Sequence, residues 1–275
     1  VNFRFMSLLP LAFQLMSCSN DNFLKSSNLI GLRIIGIIAD QPEVSPGATV
    51  TLTPIVSDYN GGGRAISYQY QLCGDPGISY GAAPSCTGQT IVSSSSGTLA
   101  GLSAPNYVGP TSAISLSLPD AATVFANRSS IDQFNGVDLL FVMTVSAGKE
   151  SLTAFRRISV TTKTVVNQNP VIADILSVGV SVTTLPATKV SISPSLASQP
   201  EVFETMSIDG VVKSQTETLI VSWYSTGGIL KYVRTLSDSA NEWDPPTAQT
   251  DGRSQVLIAI VRDARGGLGY LIREL

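Results

Sequence analysis

The sequence predicts an all-β protein built from two β-sandwiches. Three observations carry this. Glycine (23 residues) and proline (15 residues) punctuate the chain at short intervals, and no long segment repeats its apolar residues at helical spacing. Short segments alternate instead. From Glu217 to Tyr224, Leu219, Val221 and Trp223 alternate with Thr218, Ile220 and Ser222, the pattern of a strand with one face on a core. Finally, 43% hydrophobic residues in 275 residues suffice for a sizeable core, and a chain of this length makes about two domains.

The first domain is expected over residues 31–164. Leu32 to Ile38 is a β-rich run. Pro42, Pro46 and Gly47 mark a turn, and Ala48 to Ser57 follows with Val50, Leu52 and Val56 on one face. Ile66 to Leu72, Ala113 to Leu118, Val137 to Ala147 and Leu152 to Thr162 are further strands, the last two joined by a Gly148-Lys149 hairpin turn. Residues 73–112 are rich in Gly, Ser and Pro and include Ser93-Ser94-Ser95-Ser96. They read as a long surface insertion. Polar Asn167-Gln168-Asn169-Pro170 marks the boundary, and residues 165–275 form the second domain. Its expected strands are Val171 to Val180, Lys189 to Ile192, Glu217 to Tyr224, Ile229 to Leu236, Val256 to Arg262 and Leu268 to Ile272.

Two segments carry a resemblance. A β-run, then Pro42-Glu43-Val44-Ser45-Pro46-Gly47, then Thr49-Val50-Thr51-Leu52 resembles the opening of immunoglobulin-like domains in bacterial surface proteins. Ile258 to Leu268, with its Asp263-x-Arg265-Gly266-Gly267 turn, resembles the closing hairpin of polycystic-kidney-disease-like domains. The resemblance implies two tandem immunoglobulin-like β-sandwich domains.

The N-terminus is expected, from its architecture, to be a targeting signal. Arg4 is followed by a mostly apolar run to Met16, then small Ser17 and Cys18. The run is too short to span a bilayer, which takes about 20 apolar residues. Leu15-Met16-Ser17-Cys18 resembles the lipobox of bacterial lipoproteins. The resemblance implies a signal peptide over 1–17, acylation of Cys18, membrane attachment through that lipid and a tether over 18–30. Ser19 after the cysteine implies sorting to the outer membrane of the cell envelope. An ordinary secretory signal and a folded segment are the alternatives, and Pro10 argues against the second.

With Cys18 lipidated, Cys73 and Cys86 remain as one pair. An even remainder in an exported protein reads as a disulfide, with free thiols as the alternative. Two cysteines in a chain without histidine cannot complete a zinc site.

The absence of histidine also removes the most frequent general base. No glycine-rich phosphate loop precedes a helix. No cluster of Lys and Arg forms a nucleic-acid footprint, Arg156-Arg157 being the densest basic pair. Asp238, Glu242 and Asp244 are either a calcium site or a solvated loop. Asp263 and Arg265 either stabilise their turn or touch a ligand. Tyr68 and Tyr70 share one strand face, and they either stack on a sugar or enter the core. Trp243 is the best lone candidate for an exposed aromatic contact, with core packing the alternative. No cofactor is implied. The expected role is non-enzymatic: a structural, protein-interaction or adhesion protein of the bacterial envelope, or alternatively a module binding peptidoglycan or surface polysaccharide.

Overall fold

A computed structural model describes residues 26–77, 81–99, 105–247 and 253–275. The expected signal peptide and Cys18 lie outside the described residues. The first half of the chain forms β1 (Leu32–Ala39), β2 (Glu43–Val44), β3 (Thr49–Asp58), β4 (Ser67–Gly74), β5 (Ile91–Thr98), β6 (Tyr107–Pro110), β7 (Ile114–Ser117), β8 (Val137–Ala147) and β9 (Glu150–Val160). Two short helices, α1 (Ala121–Val124) and α2 (Ser130–Asn135), precede β8. Asp120 caps α1 and a Ser129/Asp132 capping box starts α2. The second half forms β10 (Ile172–Ser177), β11 (Val180–Ser181), β12 (Val190–Leu196), β13 (Val202–Met206), β14 (Val212–Thr216), β15 (Ile220–Ser225), β16 (Ile229–Leu230), β17 (Arg234–Leu236), β18 (Asn241–Asp244), β19 (Val256–Arg262) and β20 (Leu268–Glu274).

The strands make two sandwiches. In the first, β3 pairs with β1, β6 and β7, and this sheet faces a second of order β2-β9-β8-β4-β5. Between them lie Val50, Leu52, Val56, Leu72, Leu116, Phe141, Met143 and Ile158. In the second sandwich, a sheet of order β17-β15-β19-β20 faces one of order β11-β10-β12-β18-β16. Trp223 and Trp243, both fully buried, centre that core with Ile175, Ile192, Val221, Leu257 and Val261.

The two sandwiches also pack on each other. Leu29, Ile35, Ile55 and Tyr59 of the first half close a third apolar cluster with Val256, Ile258, Ile260 and Leu268 of the second. β19 is therefore buried on both faces: Leu257, Ala259 and Val261 point into their own sandwich, and Val256, Ile258 and Ile260 into the junction. This explains why it reads as a continuous apolar run rather than an alternating one. Within the second half, Gly269 of β20 lets the chain at Pro170 approach closely, since a Cβ there would lie 1.8 Å from the Pro170 carbonyl oxygen.

Three expectations need correction. The expected tether over 18–30 is fold at its C-terminal end. Leu29 is fully buried, its N–H donates to the Ser225 carbonyl at 3.0 Å, and Asn28 bridges Ser225. The expected insertion over 73–112 contributes two strands. β5 pairs along β4 from Ser67↔Thr98 to Cys73↔Ile91, and β6 pairs with β3. Serine on both faces of β5 leaves no alternation to read, and pairing with a neighbour overrides weak local preference. The single strand expected over Ile229 to Leu236 is two, β16 and β17, in opposite sheets. The buried Asn241 side chain holds the crossover, accepting from Tyr232 N–H at 3.0 Å and donating to Tyr232 C=O at 2.8 Å.

Candidate binding cleft

The sequence-derived aromatic candidates do not form a surface platform. Trp243 is fully buried, and its indole N–H donates to the Gly227 carbonyl. Tyr70 is buried in the first core against Phe141, with Tyr68 stacked beside it at 6.4 Å between ring centroids. Their spacing of two put both on one face, and that face points inward. Tyr70 and Trp243 are thus corrected from candidate ligand contacts to core residues, and Tyr68 to a half-buried ring packed against the same core as Tyr70. Cys73 and Cys86 are joined in a disulfide and pack on Leu140. It ties β4 to the segment leading into β5.

Within the acidic triplet, Glu242 is engaged by cations of its own chain. Glu242 sits between Lys189 and Lys231, whose hydrogen bonds hold its carboxyl down to about 2. Among the described residues, no three His, Cys, Asp or Glu side chains come together as metal ligands.

Two strings in the chain match nucleophile motifs. Gly77 to Gly81 reads Gly-x-Ser-x-Gly, but its Ser79 lies outside the described residues, and residues 81–99 hold no helix for a nucleophile elbow. Ser146 to Lys149 reads Ser-x-x-Lys. It forms the β8–β9 hairpin, where the Ser146 hydroxyl is 3.1 Å from that of Ser151.

The charged groups converge where the sandwiches meet. Asp263 accepts from the N–H groups of Arg265 and Gly267, both at 2.7 Å, which shapes the turn before β20. The turn aims Arg265 at Glu201 (2.6 Å) and Glu217 (2.9 Å), with Glu43 at 3.9 Å. Its guanidinium also lies 4.5 Å from the centre of the Phe203 ring. Burial opposes the Arg265 charge, and the hydrogen bonds it donates to Glu217 and Glu201 outweigh it, so its pKa stands above the ordinary value. Glu43 is itself held by Lys163 Nζ (3.0 Å) and the Asn167 N–H (2.8 Å).

Arg156 is different. Among the described residues it has no carboxylate partner within salt-bridge reach. It donates to the Ile37 carbonyl on one side of the junction and the Gly266 carbonyl on the other. Burial pushes it down to about 10. Neighbouring Arg157 points the other way, to Asp75 at 2.5 Å. The adjacent basic pair in the sequence is thus one interior rivet and one surface ion pair.

Above this centre runs a cleft of about 750 Å³, lined by Phe134, Lys163, Val165, Val202, Phe203 and Arg265 among others. Its floor is charged and paired, and its rim is apolar. Val165 is 82% exposed and Val202 is 67% exposed. The β13–β14 hairpin forms one wall. Among the described residues it pairs only with itself, and Asn135 of α2 anchors it by exchanging two 2.7 Å hydrogen bonds with Met206. Ile208 at the tip is 95% exposed, and Val211 and Val212 are also exposed. The sequence reading missed this hairpin. Asp209-Gly210 between Val202-Phe203 and Val211-Val212 was its signal, with Gly210 at φ +80°.

No protein family matches the chain, and no curated protein does. Among solved structures it is similar to Salmonella alpha-2-macroglobulin, at 8% identity and TM-score 0.28, over 89% of this chain and 16% of that one. It is similar to the D0-D1 domain of intimin at 12% identity and TM-score 0.24, over 88% and 98% of the two chains. A neural ectodermal development factor gives 9% identity and TM-score 0.24, over 90% and 95%. Likeness this remote defines neither a family nor a function. The architecture itself establishes an all-β protein of two face-packed sandwiches with an apolar-rimmed cleft at their junction.

Proposed function

We propose that this protein is a non-enzymatic binding module of the bacterial cell envelope. It is attached to the membrane through a lipid on Cys18 and contacts a partner protein through the cleft and the β13–β14 hairpin. The observation that supports the contact is the exposure of Val165 and Val202 on the cleft, with Ile208, Val211 and Val212 exposed farther along the β13–β14 hairpin that forms its wall. Grouped exposed apolar side chains are the mark of interaction sites, whereas scattered ones are ordinary. The lipid attachment rests on Leu15-Met16-Ser17-Cys18. Sorting to the outer membrane rests on Ser19.

A photo-crosslinking residue at Val165, introduced in cells, tests the contact. The expected result is one envelope protein as adduct, lost when Val202→Asp is added while the melting temperature is unchanged. No adduct, or an adduct indifferent to Val202→Asp, refutes it. A peptide mass for Cys18 from the membrane fraction tests the anchor, and an unmodified Cys18 in a chain that retains residues 1–17 refutes it.

A second reading, binding of peptidoglycan or surface polysaccharide, is favoured by one surface. The outer face of the β4–β5–β8–β9 sheet presents the hydroxyls and amides of Gln69, Gln71, Ser94, Ser96, Thr144 and Thr153 in register, with Phe155 and Arg157 farther along β9. It lacks the aromatic platform expected of Tyr68 and Tyr70. A glycan array with no binding above background removes this reading.

A further inference from the structure

We infer that β5 is a self-association edge, through which two copies of this chain join their sheets antiparallel. β5 is the last strand of its sheet, and among the described residues no strand lies beyond it. Sheet edges are normally guarded by charge, proline or shortness. The other edge strands of five residues or more each carry a charge: Arg33 in β1, Glu204 in β13, Lys213 in β14, and Arg273 with Glu274 in β20. β5, Ile91–Thr98, has eight residues with neither charge nor proline. Its one register irregularity lies opposite Leu72/Cys73, at the strand's start, and leaves Ser93 to Thr98 regular.

The open hydrogen-bonding groups can be assigned. The Leu99 N–H donates to the Ile66 carbonyl at 2.9 Å. By antiparallel alternation, Gly97, Ser95 and Ser93 then turn their backbone groups to β4, and Ser94, Ser96 and Thr98 turn theirs outward. A twofold axis perpendicular to the sheet keeps each face on its own side, so paired residue numbers must sum to an even number. Placing Ser95 on the axis sets Ser94 of one copy opposite Ser96 of the other and Ser93 opposite Gly97. Every outward group of Ser94 and Ser96 then gains a partner.

The occupant fits because the segment is its own complement. Small uncharged side chains meet across the axis on both faces, with no like charges to repel and no bulk to splay the strands. The Tyr68 ring, which lies against Gly97, stays on the core side. A single strand edge is a small interface of the weak, transient class below about 1,200 Å². It therefore acts where copies are concentrated.

The test uses the purified full chain, by sedimentation in a series reaching about 1 mM, chosen for that weak class. Ser94→Lys with Ser96→Lys, and separately Ser94→Glu with Ser96→Glu, set like charges face to face across the axis. The expected result is reversible dimerisation of the parent, at least a tenfold loss in each double variant alone, and recovery to the parent level or beyond when the two are mixed. The mixture also separates a broken interface from a broken fold. Independently, Ser95→Cys sits on the axis as a non-hydrogen-bonded pair with Cα atoms about 4.5 Å apart, within disulfide reach. Oxidation should join residue 95 to residue 95 by peptide mapping, and Ser94→Cys should not do so. A parent that stays monomeric throughout, double variants that associate like the parent, or a mixture that fails to recover each overturns the inference.

Discussion

Arg265→Ala is expected to be the most damaging surface-accessible substitution in the protein. Its side chain is 14% exposed and Glu217 is 2% exposed, so removing the guanidinium strands the Glu217 carboxylate in a site from which water is largely excluded, whereas Glu43 keeps Lys163. Breaking a buried pair from one side costs about 3–5 kcal/mol, because the stranded charge keeps its desolvation penalty. The Phe203 contact, about 1 kcal/mol, is part of that sum. Against a usual net stability of about 5–15 kcal/mol the loss is large, and at about 2–4 °C per kcal/mol it lowers the melting temperature by about 10 °C. Urea unfolding at neutral pH measures it.

A double-mutant cycle identifies the partner that matters. Glu201 is nearer than Glu217, at 2.6 against 2.9 Å, but is 33% exposed. Burial, rather than distance, should decide. Glu217→Gln in the Arg265→Ala background should recover part of the lost stability, and Glu201→Gln should recover under about 1 kcal/mol, as screened pairs do. A loss below about 1 kcal/mol for Arg265→Ala, or a larger coupling to Glu201 than to Glu217, would refute the reasoning.

Three further outcomes are expected. Replacing Cys73 and Cys86 together with serine should lower stability by about 3 kcal/mol, the chain-entropy value for a loop of 13 residues' separation, and an unchanged urea midpoint after reduction would contradict it. Asp138 is held above its ordinary pKa by burial and by the charge of Asp75, so its ionised form destabilises the fold at neutral pH. Its favourable contribution is complete below the unfolded pKa and is lost as pH rises through the folded one. Asp138→Asn should therefore stabilise at pH 7, with a gain that shrinks on acidification and vanishes below about pH 3.9, as read from urea midpoints across that range. Gly228→Ala should destabilise by more than about 1 kcal/mol, because φ is +78° and the new Cβ would meet the Asp244 carbonyl oxygen at 2.3 Å. A melting temperature equal to the parent's would show that the β16 turn relaxes freely.

Strands with a strong local period were legible. Leu219, Val221 and Trp223 alternate in the chain and are buried in the structure, and the long β8–β9 hairpin follows from its apolar strands and Gly148 turn. Where the period was weak, the reading failed in a consistent way. β5 is serine on both faces, so only its pairing with β4 makes it a strand. β16 and β17 form one run in the chain but belong to opposite sheets, and Asn241 made that crossover without a local signature. The candidate site was less legible still. Asp263 and Arg265 were singled out with their turn, but Glu43, Lys163, Glu201 and Glu217 come from four distant segments. Nothing local marks a carboxylate as the one that an arginine 48 or more residues away will pair with.

By itself the sequence determined the fold class and the positions of most core strands, because period-two alternation and turn residues act within a few residues of themselves. Only the tertiary structure decided which aromatic faces were core and which apolar run was buried twice. It also decided which charges gathered around Arg265. Those outcomes depend on which sheet faces meet, and burial sets both the value of an apolar side chain and the cost of an unpaired charge.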